Sequence, residues 1–290
     1  MCIRDRVDNL HTGRLDNLRD VLDRVRFERC DVKDLLELGL PRFDVVFHQG
    51  VYSSSPMYRE DPRLVADAVA GGVAVLELAR RHGARVVVAS TSSIYNGLPL
   101  PWREDMQPIP FDFYTEARLA VERVAAVYSK LYGVPVVVLR YFSIYGPREE
   151  SKGRYANVLT QMMWAGLKGE EFIIFGDGSQ TRDLVYVGDV VEANLKAVEF
   201  LERGESKFEV FNVGSGKATS FNEMAELVRR LGLDLKTRYA KNPIKNYVYH
   251  TLADTRKAKE LLKFKARTSL EDGARRTLEY YRKLHEEGGL

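Results

Sequence analysis

"ARVVVAST", residues 84–91, is a run of small and β-branched apolar residues broken by one arginine and closed by Ser90-Thr91. A strand with one wet face alternates apolar and polar; a run this continuous reads as a strand covered on both faces. "FDVVFH" (43–48) and "VPVVVLRYF" (134–142) repeat the pattern. Between the three lie "DPRLVADAVAGGVAVLELARRHG" (61–83) and "FYTEARLAVERVAAVYSKLYG" (113–133), with apolar residues at helical spacing. Both stop on a glycine, Gly83 and Gly133, the residue best able to take the left-handed turn that ends a helix. Doubly buried strands alternating with amphipathic helices predict βαβ units, and hence an α/β fold with a doubly wound parallel sheet.

After Gly146-Pro147 the alternation loosens. A helix is expected over about 154–168, then a strand "EFIIFG", the turn "GDGSQ", a strand "DLVYV" and another helix. "EVFNVG" follows, with helices near 220–231, 254–263 and 269–286. Segments 144–182 and 205–290 are expected to form a smaller α/β domain over the carboxyl edge of the sheet.

At 290 residues, 45% hydrophobic and 29% charged, the chain has the composition of a globular protein with one or two domains. A net charge of +3 without a basic stripe argues against a nucleic-acid partner. The Lys/Arg-rich C-terminal segment mixes with Glu at helical spacing, the pattern of a solvated helix face. Cys2 and Cys30 make neither a disulfide framework nor a metal spacing, and none of the five histidines pairs at i, i+4, so no metal is expected. No apolar run reaches the roughly 18 residues of a membrane span, and the cytoplasm is the expected compartment.

"VDNLHTGRLDNL" (7–18) places an acid after a strand and before a glycine-containing turn. In dinucleotide-binding folds such an acid accepts the ribose hydroxyls, roughly 20 residues after a glycine-rich phosphate loop. Only six residues, "MCIRDR", precede Val7, and Arg4, Asp5 and Arg6 stand where a buried strand is apolar. Two readings stand: a polar start to an edge strand, or a foreign junction replacing a first strand, phosphate loop and first helix. The second is favoured, with about 30 further residues expected upstream and weak dinucleotide binding without them.

Eight landmarks then occur in one order. They are "DV" (31–32), "FHQG" (47–50), "STSSIY" (90–95), Tyr114 with a basic residue four on, and "RYFSIYGPR" (140–148). "GDGSQTRDLVYVGDVVEA" (176–193), "FNVGSG" (211–216) and "LADTRKAKELL" (252–262) complete them. With these the chain resembles the extended short-chain dehydrogenase/reductase family, specifically its NAD-dependent nucleotide-sugar epimerases of the UDP-glucose 4-epimerase kind. It departs from that pattern in lacking G-x-x-G-x-x-G, and in carrying Arg118 for the lysine of Tyr-x-x-x-Lys. Ser143 and Ala68 stand where asparagines are usual.

The resemblance implies a Rossmann-type NAD-binding domain of residues 1–143 and 183–204, and a substrate-binding domain of 144–182 and 205–290. It implies Tyr114 as base, Arg118 as the charge that eases its ionisation, and Thr91 as a hydrogen-bonding relay. NAD is expected at Asp8, Asn9, Asp31, Val32, Gln49, Gly50, Tyr114 and Arg118, the acid at Asp8 disfavouring a 2′-phosphate. A UDP-hexose is expected at Thr91, Ser143, Asn157, Phe172, Phe175 and Arg182, although a strand's core residues would explain Phe172 and Phe175 equally well. A reaction at C4 through a 4-ketone and a homodimer built on the helices at 61–83 and 113–133 follow from the same likeness. Family dehydratases carry Asp-Glu after the threonine; Ser92-Ser93 cannot act as an acid/base pair at neutral pH, which favours epimerisation. A reductase and a non-catalytic nucleotide-sugar-binding protein are the remaining alternatives.

Overall fold

A computed structural model describes residues 4–290; residues 1–3 of the suspected junction lie outside the described residues. Its strands are β1 (Arg4–Asp8), β2 (Val25–Arg29), β3 (Val45–His48), β4 (Arg85–Thr91), β5 (Val136–Tyr141) and β6 (Ser143–Tyr145). β7 (Glu171–Phe175), β8 (Thr181–Tyr186), β9 (Phe208–Val213), β10 (Ala218–Ser220) and β11 (Lys236–Ala240) follow. The helices are α1 (Ser55–Glu60), α2 (Leu64–His82), α3 (Phe113–Tyr132), α4 (Val158–Lys168), α5 (Val187–Arg203), α6 (Phe221–Arg230) and α7 (Leu270–Glu286).

Two compact units emerge. The first takes in residues up to Ser90, Pro110–Leu139 and Ala197–Val210; the second takes in Thr91–Ile109, Arg140–Lys196 and Phe211–Leu290. These units are cut by packing, and they group 91–109 and 183–196 with the second rather than with the residues expected to hold a cofactor.

In the first unit β4 and β5 are buried on both faces as the sequence reads, whereas β3, at the end of its sheet, leaves Phe47 43% exposed and its two valines half-buried. β3-β4-β5-β9 is the order of a four-stranded sheet, with β3 parallel to β4 from Val45↔Arg85 to His48↔Val88. Val86, Val88, Val136 and Val138 join Val75, Leu78 and Ala79 of α2 and Val121 and Ala125 of α3 in one core. α3 starts on a reciprocal capping box between Asp112 and Thr115, and Gly133 ends it at φ 69°. The apolar pattern from 61 yields a helix only from Leu64, because Asp61, which precedes a proline, is extended at ψ 95° and ends α1 instead. β1 and β2 make a parallel two-stranded sheet from Arg4↔Val25 to Asp8↔Arg29. Two of its acids face arginines: Asp5 lies 3.3 Å from Arg26, and Asp8 lies 2.7 Å from Arg6.

The second unit holds the sheet β10-β8-β6 and a parallel β7–β11 pair. α4, α6 and α7 cover a core of Leu159, Met162, Ile174, Leu184, Met224, Val228 and Leu278. The helix expected over 154–168 is broken: a 3₁₀ stretch Glu150–Tyr155 kinks at Gly153, and α4 starts afresh behind its cap Asn157. The helix expected over 254–263 shrinks to a π-helical turn, Ala258–Leu262, closed by Lys263 in the left-handed region. Its first residues are held elsewhere, since the Asp254 amide donates to the Trp102 carbonyl and Ala253 bridges to Trp102.

Buried Asp183 joins distant parts of this unit. Its carboxylate accepts from the amides of Ser215, Gly216 and Ala253 and from the Ser215 hydroxyl, while its own amide donates to the Thr251 hydroxyl. The irregular segment around 249–254 is thereby pegged by its backbone: the Tyr249 carbonyl accepts from the Thr181 amide and the Leu252 carbonyl from the Trp102 amide.

Candidate functional site

In the first unit, Asp8 ends β1 half-buried. Its Oδ1 accepts from the Leu10 amide at 2.9 Å and its Oδ2 from Arg6. Two carboxylate oxygens have about four acceptor sites, so room remains for two hydroxyl donors. Asn9 donates to Asp31 Oδ2 at 3.0 Å, which brings these two residues together, and Asp31 Oδ1 caps the following 3₁₀ helix through the Lys33 amide. Val32 packs on α2, where a Cβ on Gly71 would overlap its Cγ1. Gln49 and Gly50 are exposed beyond β3, and a Cβ on Gly50 would meet nothing within 4 Å.

The first turn of α3 brings Tyr114 inside, 8% exposed, and one turn later Arg118, 5% exposed. The guanidinium carbon lies 5.3 Å from the Tyr114 ring centroid. This spacing is the i, i+4 arrangement expected from the sequence. Arg118 Nη1 donates to the Ala89 carbonyl and Nη2 to the Tyr52 carbonyl, each at 3.1 Å. Tyr58 on α1 stands 5.6 Å from the Tyr114 ring, centroid to centroid. Burial pushes the Tyr58 hydroxyl up to about 12, partly opposed by the Arg118 charge. His48, at the end of β3, is held down to about 4 by burial first and the Arg118 charge second. Among the described residues, the Tyr58 hydroxyl, His48 Nε2, Ser54 Oγ and Arg118 Nε have no hydrogen-bond partner. The sequence reading did not single out His48 or Tyr58 as site residues; the signal for His48 was a polar residue closing an apolar strand, and Tyr58, in "SPMYRED", had none.

In the second unit, Thr91 is 6% exposed at the end of β4, and its Oγ1 accepts from the Ser93 amide at 3.1 Å. Ser143 opens β6, half-buried, opposite Leu184. The Asn157 side chain is occupied at both ends: Oδ1 caps α4 through the Leu159 amide at 3.0 Å, and Nδ2 donates to the Ile144 carbonyl at 2.8 Å. Phe172 packs against the core of this unit, and Phe175 is half-buried at the end of β7. Arg182 lies between two rings, 5.2 Å from Phe221 and 5.3 Å from Tyr247, and donates to the Thr181 and Tyr249 carbonyls. Tyr247 went unread. Its signal was "YVYH" (247–250), an aromatic pair at strand spacing.

Among the described residues, no helix is long and apolar enough to cross a membrane. The profile of the NAD dependent epimerase/dehydratase family matches residues 4–214. A putative UDP-glucose 4-epimerase of Methanocaldococcus jannaschii is 34% identical over 280 residues, 94% of this chain and 88% of that protein. A UDP-N-acetyl-alpha-D-glucosaminuronate decarboxylase of Bacillus cytotoxicus is 28% identical, over 96% of this chain and 89% of that protein. Among solved structures, the UDP-glucose 4-epimerase of Thermotoga maritima with UDP-glucose superposes with a TM-score of 0.89 at 33% identity, covering 97% of this chain and 91% of that one. With its Rossmann-type α/β architecture and its profile match across most of the sequence, the chain belongs to the NAD dependent epimerase/dehydratase family.

Proposed function

We propose that this protein is an NAD-dependent epimerase of a nucleotide-diphosphate sugar, acting at C4 of a UDP-hexose through a transient 4-ketone. The observation that carries the proposal is the buried Tyr114 with a permanent cation one helical turn away. A sugar hydroxyl is a very weak acid, so its oxidation needs a base held at the O4 proton. Tyr114 takes that proton and returns it, Arg118 keeps a permanent positive charge beside the ring, and Thr91 hydrogen-bonds the reacting oxygen. The residues present suit an adenosine: the remaining acceptor capacity of Asp8, the Asn9–Asp31 pair, apolar Val32, and the open space over Gly50. When bound, NAD supplies the hydride acceptor and donor. Residues 1–143 and 183–204 are assigned to it, and 144–182 and 205–290 to the sugar nucleotide. Arg182, Ser143 and the spare amide hydrogen of Asn157 serve the diphosphate, and Phe175 and Phe172 the base.

The test is interconversion of UDP-glucose and UDP-galactose followed by NMR, and formation of the 4-epimer is expected. A second reading, suggested by the B. cytotoxicus relative, is that the substrate is a UDP-hexuronate. A 4-ketone lies β to the C6 carboxylate, so the same first step would release carbon dioxide. Conversion of UDP-glucuronate with gas release, and none of UDP-glucose, would move the assignment there. Turnover of neither substrate would sink both.

A further inference from the structure

Both terminal nitrogens of the Arg118 guanidinium donate to the protein itself. β3 and β4 stay in register only as far as His48↔Val88. Past that point the chain leaves the sheet through residues 49–54, and the Ala89 and Tyr52 carbonyls take their hydrogens from the two ends of one planar fork, each at 3.1 Å. One turn further along α3, buried Glu122 accepts from the Ser90 hydroxyl, so the helix holds β4 at two consecutive residues. A compact ammonium on a flexible stem presents its donors from one point and is not a substitute for a fork that spans two carbonyls.

We propose that Arg118 is a positioning residue: it latches the 49–54 loop to the end of β4 and so fixes the backbone at Gln49 and Gly50 where the dinucleotide is to lie. What the loop holds rests on the epimerase reading; the latch does not. In the loop the Val51 amide donates to the Gln49 carbonyl and the Gln49 amide to the Phe47 carbonyl, which gives its opening a direct readout.

Hydrogen exchange on the whole chain, without cofactor, tests this. Arg118→Lys and Arg118→Met should each raise exchange across 49–56 by about tenfold or more while 134–142 keeps its protection, the signature of a local opening. Tyr114→Phe should leave the loop unchanged, because its backbone bonds survive. Parent-like protection of the loop in Arg118→Lys would overturn the latch. Calorimetry and pH profiles then separate latch from charge. Arg118→Lys should weaken NAD binding with an unmoved pH–rate profile, and Arg118→Met should weaken it and shift the profile to higher pH. An Arg118→Lys variant with full NAD affinity and altered turnover alone would also overturn the proposal. If no variant, nor the parent, turns over a nucleotide sugar, the epimerase reading fails while the exchange data still decide the latch.

Discussion

Protonating His48 would place a second positive charge near the buried Arg118 guanidinium, in a position 3% exposed. Its folded-state value of about 4 lies below the ordinary 6.5, so the unfolded chain binds the proton more readily. The stability this residue contributes is therefore complete above about pH 6.5 and is lost as pH falls towards 4, by roughly 3 kcal/mol across that window. Urea midpoints at pH 7 and 4.5 should differ clearly in the parent and less in His48→Gln; an equal difference in both would remove His48 from the account. At the same scale, Tyr114→Phe should lower turnover by about 10²–10⁴-fold with substrate affinity nearly kept. Unchanged turnover would mean that the ring of Tyr114 is a packing element and the base lies elsewhere. The family likeness put Tyr114 into the sequence reading, while His48 was not singled out. Arg118's carbonyl partners, 29 and 66 positions away along the chain, were not legible, because a carbonyl has no side-chain signature.

α2 places two glycines against neighbouring elements. A Cβ on Gly72 would come within 3.1 Å of Val121 on α3, and one on Gly71 would overlap Val32. Valine is stiff at χ1, so the second overlap forces the 3₁₀ helix Val32–Glu37 away from α2. Gly71→Ala should cost about 1–3 kcal/mol, despite alanine's better helix propensity. A rise in Tm instead would show that the segment yields freely. Elements with a single strong pattern were readable: β4 and β5 as continuous apolar runs, α2 and α3 by their period and terminal glycines. β2, "VRFER", and β11, "KTRYA", were not singled out, because each pairs with only one neighbour and half its residues face water. The kink at Gly153 and the lost helix before Ala258 were invisible for another reason. Ala253 and Asp254 are bound to Trp102 far along the chain, and Gly153 stands at φ 51°, ψ −122° between two helical stretches, an angle that no side-chain signal announces.

For the molecule as a whole, α2 and α3 leave Val73, Val127, Leu131 and Tyr132 exposed at 37%, 51%, 65% and 57%. Apolar side chains gathered on two neighbouring helices suit a partner helix pair better than water, and a homodimer joined there is the expected state in solution. Light scattering should give twice the chain mass, and Leu131→Glu should halve it; a parent at the chain mass would exclude this face as a stable interface. The homodimer expectation came only from the family likeness, since exposure cannot be read from a helical period alone.

The pegging of 249–254 has a further consequence, for cleavage. A protease must draw about a dozen residues of backbone out as an extended strand before it can cut, so exposure of a side chain does not make a site. Arg256 is exposed, yet its amide is held by the Asp254 carboxylate, and the residues before it are pinned through Asp183 and Trp102. Lys245 sits in the stretch before this, where the described backbone has no strand or helix. Brief trypsin treatment should therefore nick after Lys245 well before Arg256, and the two pieces should elute together under native conditions. The nicked protein would behave as a non-covalent two-chain complex, its short carboxyl-terminal piece retained by Asp183. Early cleavage at Arg256, or separation of the pieces without denaturant, would mean that this irregular segment is as loose as its lack of secondary structure suggests.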